Sequence, residues 1–304
     1  MRPNDRVYTV SDFTHELVAD VRAGGYGPRA WRTLLARSWA RSVDDIRASP
    51  ARARSALRWS GVGAVIGAGI LVLTLAVQDS GVAIRTAGLW LPWYAGTVFF
   101  VLTHLGMVDD AAGGLRAELL IPNGLSFLRL GLAPLVLWPF SIVPVHPSTA
   151  PVFALTLVLL ALTDAVDGWI ARRRGVETRM GRMLDPLADV AFLAFLAAGL
   201  FAAGVLPASL LALLVLRYPG ALVGVVVLYF LRGPAPLRPT VIGRATSLVT
   251  SAVLTAFAVA RLLRLEWLPA NWIDWCVGAL YLVVGINLAY LVRRAVTWRA
   301  PGPG

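Results

Sequence analysis

Apolar residues along this chain gather into long unbroken runs instead of alternating with polar ones. The runs cover approximately residues 60–78, 87–107, 122–143, 151–171, 186–204, 209–231, 240–264 and 272–292. As helices, runs of this length are long enough to cross a hydrocarbon core ~30 Å thick at ~1.5 Å per residue. Short polar or Pro/Gly breaks separate them: Gln78-Asp79-Ser80, Pro144 to Pro147, Pro207, and Arg232 to Pro239. Lipid admits only helices or closed barrels, and these runs are far longer than the ~10-residue alternating strands of a barrel. The pattern predicts an all-α polytopic membrane protein with eight spans. Composition agrees: of 304 residues, 58% are hydrophobic and 15% charged, and mean hydropathy is +0.70. That excludes an ordinary soluble globule and a disordered chain.

Charge adds an orientation. All 28 basic residues are Arg, and the net charge is +11. Without Lys, Schiff-base and P-loop chemistry are excluded. A basic surface suits nucleic acid or an anionic membrane face, and the hydropathy selects the membrane over nucleic acid. With the N-terminus in the cytoplasm, the cytoplasmic segments hold 23 Arg and the outer ones only Arg85, Arg261 and Arg264. This places both termini on the cytoplasmic side of a cell membrane. Residues 1–58 are polar and carry 11 Arg against 6 acidic residues. Within residues 28–47, Trp31, Leu34, Leu35 and Trp39 fall at helical spacing with Arg32, Arg37 and Arg41 between them. That reads as an amphipathic basic helix, lying on the membrane surface or packed on the rest of the protein. The N-terminus does not read as a signal peptide, since no apolar run begins before about residue 60. The single cysteine, Cys276, excludes an intramolecular disulfide, and His15, His104 and His146 are too scattered for a metal set.

The chemistry concentrates between Asp164 and Asp189. Asp164 and Asp167 are i, i+3 on one predicted helix face, and Asp185 and Asp189 are i, i+4 on the next. A turn around Arg173 to Gly181 is expected to bring the two helices antiparallel, so that all four carboxylates converge at the cytoplasmic mouth. Four acids this close need neutralising, which hard divalent cations with oxygen ligands do best. Two carboxylate-bridged metals suit displacement at phosphorus, and one carboxylate can take a proton from an attacking hydroxyl. Gly168, Ala171 and Gly181 remove bulk where a ligand or helix approaches, and Arg172 is placed to hold a diphosphate. Read singly, each Asp is equally a helix cap and each small residue helix packing. A transporter can also gather four Asp, but it has no need of the fixed Gly-x-x-Ala-Arg insert.

Asp164-x-x-Asp167-Gly168-x-x-Ala171-Arg172, eight residues, then Gly181-x-x-x-Asp185-x-x-x-Asp189 resembles the signature of the CDP-alcohol phosphatidyltransferase family without departure. The resemblance covers about residues 118–295, a six-span core. It implies that Asp164, Asp167, Asp185 and Asp189 bind two Mg²⁺ or Mn²⁺ ions and that Asp189 is the general base. It also implies that Gly168, Ala171 and Arg172 line a CDP site, with Gly181 alongside. The implied reaction is attack of an acceptor hydroxyl on a CDP-linked lipid such as CDP-diacylglycerol, releasing CMP. Pro122-Asn123-Gly124-Leu125-Ser126-Phe127-Leu128-Arg129 looks like the family's opening helix. There, Asn123 and Ser126 either offer hydrogen bonds near the nucleotide or only cap the helix. Arg129 is expected to snorkel or to pair with the Asp cluster.

Leu184-Asp185-Pro186-Leu187-Ala188-Asp189 and Arg238 to Arg244 resemble the phosphatidylglycerolphosphate and cardiolipin synthases of the family. Glycerol 3-phosphate is the acceptor this implies first, with phosphatidylglycerol or an inositol phosphate as alternatives. An anionic acceptor needs Arg. Arg244, at the cytoplasmic start of a span, is the first candidate. Arg217 is the second, if its helix projects beyond the bilayer or the cleft is deep; its alternative is a structural ion pair. Those synthases usually carry Lys after the last Asp, where this chain has Val190. The sequence thus divides into a basic segment 1–58, two extra spans in 59–107, an interfacial segment 108–121, the six-span domain 122–295 and a tail 296–304. The extra spans are expected to dock the core, form a homodimer contact or shield a lipid entrance. Asp-rich membrane prenyltransferases, with two separated motifs, fit the single compact cluster less well. The lack of Lys, with much Ala, Arg, Gly and Val, suggests a bacterial source.

Overall fold

The computed structural model describes residues 12–77, 80–108, 118–136, 150–174, 178–232, 240–265 and 271–297. The side chains of residues 163–172 lie outside that set. The described residues are helical throughout, and the chain is an all-α polytopic membrane protein. Two helices precede the apolar runs, α1 (Asp12–Ala23) and α2 (Pro28–Ala48). They are joined by a turn in which Gly25 and Tyr26 take positive φ, reversing the chain. Then follow α3 (Pro50–Val77) and α4 (Ser80–Thr103), with a short 3₁₀ turn at Leu105–Met107. The motif-bearing part comprises α5 (Ile121–Leu132), which tightens to 3₁₀ over Ala133–Val136, α6 (Ala150–Arg174) and α7 (Arg179–Ala202). Last come α8 (Ala208–Val215), α9 (Ala221–Arg232), α10 (Val241–Leu263) and α11 (Trp272–Thr297).

Among the described residues, five stretches are long and apolar enough to span: Pro50–Ala76, Arg179–Ala202, Ala208–Arg232, Val241–Leu263 and Trp272–Arg294. Ile121–Val136 and Ala150–Leu162 are shorter apolar helices. The other three expected spans are not met in full among the described residues. The described helix at the third run stops at Val136, and residues 137–143 of that run lie outside the described residues. The apolar stretch Ala150–Leu162 of α6 ends where the described side chains end, and residues 163–171 of that run lie outside them. α4 is helical over 24 residues but carries Arg85, three Thr and Pro92, which dilute its apolar character. Residue 58, where the sequence pattern changes from polar to apolar, falls inside α3. This helix starts ten residues before the apolar run, so its first turns carry Arg52, Arg54 and Arg58 beyond the apolar part. Pro50 suits a first helical turn, where its missing N–H costs nothing.

α3 and α4 are part of the core. Trp90 of α4 lies over Gly67 of α3, where a Cβ would come within 2.0 Å of the indole. Trp59 of α3 likewise fills the notch left by Gly124 of α5, where a Cβ would come within 2.1 Å. Trp90 Nε1 donates to Gly131 O at 3.1 Å, and Trp93 Nε1 to Leu130 O at 2.7 Å. Both carbonyls belong to the end of α5, where the helical ladder tightens and leaves acceptors to fill. α5 packs in turn against both α6 and α7. The extra helices thereby brace a helix that touches both motif helices, as α10 also does.

The apolar run at 209–231 is not one regular helix. Leu216–Gly220 forms a π turn between α8 and α9. Pro219 lacks the N–H that would close the bond to Val215, so the ladder widens there.

Candidate active site

Two helix starts share one device. Thr178 precedes α7 and its Oγ1 accepts from Gly181 N at 3.0 Å; Thr240 precedes α10 and accepts from Gly243 N at 3.0 Å. Each hydroxyl satisfies one of the amides that a helix start leaves open. Thr178 also meets the amide of Asn123 on α5, with Nδ2 at 2.9 Å and Oδ1 at 3.1 Å. Both residues are buried, at 1% and 2% exposure.

From that point α5 and α7 run side by side in the same direction as a ladder of polar pairs. One turn on, Ser126 Oγ donates to Asp185 Oδ1 at 2.6 Å. The same hydroxyl lies 3.0 Å from Pro122 O, but the ionised carboxylate is the stronger acceptor. A turn further, Arg129 Nη2 pairs with Asp189 Oδ1 at 2.8 Å. Steps of three residues on α5, and of seven and then four on α7, keep all three pairs on the shared face. Arg129 is 2% exposed, whereas the Asp189 side chain is 39% exposed. The carboxylate therefore opens outward while the guanidinium beneath it is covered. Of the two expectations for Arg129, pairing with the Asp cluster is what the structure shows.

Asn123 and Ser126 are both spent on contacts between helices. Gly181 has a direct reason to be small, since a Cβ there would sit 2.8 Å from Asn123 Oδ1. Asp164, Asp167, Gly168, Ala171 and Arg172 lie on the α6 backbone, with their side chains outside the described residues. Levels along the two helices can still be compared. At ~1.5 Å per residue, Asp164 lies ~15 Å before the end of α6 and Asp189 ~15 Å after the start of α7. Asp167 and Asp185 lie nearer the connection, each ~10 Å away by the same measure. Among the described residues no three metal-ligating side chains cluster. The donor set does fit a hard cation: two carboxylates on one helix face, each held through Oδ1 by a neighbour that fixes its direction.

Arg217 sits in the π turn and is half-buried. Its Nη2 comes within 4.0 Å of where a Cβ would stand on Gly243, in the first turn of α10. Asn287 Nδ2 of α11 is 4.0 Å from the same point. Three helices thus bring Arg217, Gly243 and Asn287 together. Arg217 therefore reaches the level of the α10 start, so α9 carries on beyond it. Asn287 is 0% exposed, and neither amide atom has a hydrogen-bond partner among the described residues; Arg217 Nε and Tyr218 OH also lack one. Arg244, one residue on, is exposed. Val190 packs against the apolar cluster that contains Tyr218, Leu254 and Val284, so no cation follows Asp189 there.

Sequence reasoning passed over Thr178 and Asn287. The first was readable as a cap three residues before Gly181. The second stands out as an amide inside an otherwise apolar run.

A family model described as CDP-alcohol phosphatidyltransferase matches residues 119–289, from just before α5 into α11. The chain belongs to the CDP-alcohol phosphatidyltransferase family. The family is divalent-metal dependent and uses CDP-diacylglycerol with an alcohol acceptor such as glycerol 3-phosphate. The chain is similar to the CDP-diacylglycerol--glycerol-3-phosphate 3-phosphatidyltransferase of Aquifex aeolicus, with 47% identity over 76 residues, 25% of this chain and 39% of that one. The protein of the same name from Cereibacter sphaeroides is 49% identical over 72 residues, 23% of this chain and 32% of that one. The chain thus spans under two fifths of the length of these relatives. A cardiolipin synthase (CMP-forming) of Streptomyces coelicolor is 32% identical over 194 residues, 59% of this chain and 86% of that one. No solved structure matches the chain.

Proposed function

We propose that this protein moves a phosphatidyl group from CDP-diacylglycerol to an alcohol acceptor and releases CMP. The observation that carries the reading is the α5–α7 ladder, which presents Asp185 and an outward-facing Asp189 on one face at the family's spacing. Asp164, Asp167, Asp185 and Asp189 would hold two divalent cations, Mg²⁺ or Mn²⁺. Bound there, such ions neutralise phosphate charge and polarise the phosphorus–oxygen bonds.

The chain's own residues do the rest. Asp189 accepts the acceptor's hydroxyl proton as that oxygen bonds to the phosphatidyl phosphorus. The bond from this phosphorus to the bridging oxygen breaks, and CMP leaves with that oxygen. Arg129 fixes the direction of the Asp189 carboxylate, and Ser126 that of Asp185. Gly168, Ala171 and Arg172 form the CDP side of the cleft, with Gly181 allowing the close approach of α5 and α7. Glycerol 3-phosphate is the acceptor favoured by the names of the relatives that match at 47% and 49% identity over 76 and 72 residues. Arg217 and Arg244 would bind its phosphate. The buried amide of Asn287 supports a polar ligand beside Arg217, because leaving both amide atoms unpaired is costly.

A second acceptor, phosphatidylglycerol, is favoured by the Streptomyces relative, whose match covers 86% of its length, and by Val190. The active site and both termini would face the cytoplasm. The deciding experiment is CMP release by purified protein from CDP-diacylglycerol with Mg²⁺, testing glycerol 3-phosphate, phosphatidylglycerol, inositol 1-phosphate and serine in parallel. CMP with glycerol 3-phosphate alone is expected. CMP with phosphatidylglycerol alone selects the second acceptor, and no CMP or CDP-lipid binding returns the Asp cluster to a transport role.

A further inference from the structure

Helix α2 lies across the ends of other helices. Near its start Trp31 meets Phe230 at the end of α9, with ring centroids 5.1 Å apart. Further along, Trp39 stacks on Phe99 of α4 at 5.9 Å and an interplanar angle of 18°. Ser42 Oγ donates to Thr103 O, at the end of α4, at 2.7 Å. α1 secures the other side: Arg22 Nε donates to Phe230 O at 2.7 Å, Arg22 Nη2 to Tyr229 O, and Tyr26 OH to Phe230 O at 2.7 Å. The hairpin α1–α2 is therefore a strap joining the ends of α4 and α9.

One face of α2 is used in two ways. At ~100° per residue, Trp31, Leu35 and Trp39 spread over about 80° of arc, and Ser42 and Ile46 fall within the same arc. In the second half of the helix this face is covered: Ser42 is 6% exposed, and Ile46 packs on the apolar cluster that includes Leu105. In the first half the same face is only partly covered among the described residues, by Phe230 against Trp31 and by Phe99 against Trp39. There Trp31, Leu35 and Trp39 are 38%, 64% and 55% exposed. The second half rests on the end of α4, so the exposed first half lies over the surface beside that helix. Phe99, on which Trp39 stacks, is itself 56% exposed, so the apolar surface continues from α2 onto α4.

The cations are sorted by side. On one flank Arg37 pairs with Asp20 and Glu16 of α1, and Arg41 with Asp45 at 3.3 Å. On the other flank Arg29, Arg32 and Arg47 are exposed and have no acidic partner among the described residues. By the same ~100° per residue, Arg32 lies about 20°, and Arg29 and Arg47 about 80°, beyond the edge of the apolar face. This flank of unmatched Arg fits an anionic headgroup layer, with the rings at the acyl boundary and the long Arg side chains reaching along the helix to phosphates.

We propose that α1–α2 is an in-plane strap whose Trp31–Leu35–Trp39 face inserts into the headgroup layer beside α4 and α9. Arg29, Arg32 and Arg47 hold anionic phospholipid headgroups there. The test uses the full chain in nanodiscs holding one copy each, of phosphatidylcholine alone or with about a third phosphatidylglycerol. In a C276A background, L35C and, on the opposite side of α2, T33C carry an environment-sensitive fluorophore. The L35C label is expected to shift to the blue and to be quenched by spin-labelled lipid in the anionic discs, while the T33C label stays in water. R29Q/R32Q/R47Q should return the L35C signal to its value in phosphatidylcholine. As a label-free check, brominated phosphatidylglycerol should quench the native tryptophans more than those of W31F/W39F. A water-exposed L35C label in anionic discs overturns the proposal. So does equal shielding in both lipids, or shielding only in discs that hold two chains, which would make this face a contact between copies.

Discussion

Gly181→Ala probes the ladder at its first rung. The added methyl would stand 2.8 Å from Asn123 Oδ1 and 3.4 Å from Thr178 Oγ1. Asn123 cannot swing away cheaply, because it is buried and its amide is matched to the Thr178 hydroxyl, which also caps α7. Either α7 moves off α5 or the Asn123–Thr178 contact breaks. Overpacking of this kind costs ~1–3 kcal/mol. Leaving a buried amide unmatched costs a further ~1–3 kcal/mol, and only one of the two routes need be taken. Replacing Gly by Ala inside a helix returns up to ~1 kcal/mol. The net expectation is a destabilisation of about 1 kcal/mol, and at most ~2, read as a fall of a few degrees in the melting temperature of the detergent-solubilised protein.

The functional effect should exceed the stability effect. Asp185 and Asp189 follow on the same helix, and a displacement of a few tenths of an ångström reaches both of their α5 partners. CMP release is therefore expected to fall about tenfold or more, since ~1 Å of misplacement costs about a hundredfold. A double-mutant cycle isolates the cause. Asn123→Ala removes the atom the methyl meets, so N123A/G181A should be less damaged than the two single changes added, by at least ~1 kcal/mol. Strict additivity, or a G181A protein as stable and active as the parent, would refute the argument that this glycine is set by the α5–α7 approach.

Ser126→Ala should weaken metal-dependent activation about tenfold, within the ~10–100-fold range for partners that orient ligands, measured as the Mg²⁺ concentration for half-maximal CMP release. Asp189→Asn should lower turnover by ~10²–10⁴ while CDP-lipid still binds, measured by single-turnover CMP release. Excess EDTA should stop the reaction and added Mg²⁺ or Mn²⁺ restore it; undiminished activity in EDTA would contradict the metal assignment. Arg217→Gln should raise the acceptor KM about tenfold to a hundredfold, as expected for a charged hydrogen bond worth ~1.5–3 kcal/mol, with the KM for CDP-diacylglycerol unchanged.

The all-α membrane architecture was legible before any coordinates. Runs of some twenty apolar residues admit no other solution in lipid, because every backbone amide must be satisfied within its own segment. The four Asp residues and the small residues between them were equally legible, since helical periodicity alone puts Asp185 and Asp189 on one face. Residue spacing could not say what faces them. That Arg129 pairs with Asp189, and Ser126 with Asp185, depends on α5 and α7 lying parallel in one register, which Asn123, Thr178 and Gly181 set by contact across 55 residues of chain or more. Arg217 reads in sequence as a charge deep in a span. The π turn at Pro219 and the level of α10 bring it instead to Gly243 and Asn287. The amphipathic character of α2 was written in its spacing, but its role was open. Only the packing shows which half of its apolar face is buried on protein and which half is left exposed. Local periodicity is a property of a segment and survives in any fold, whereas a partner is a property of two segments and exists only once the chain has closed on itself.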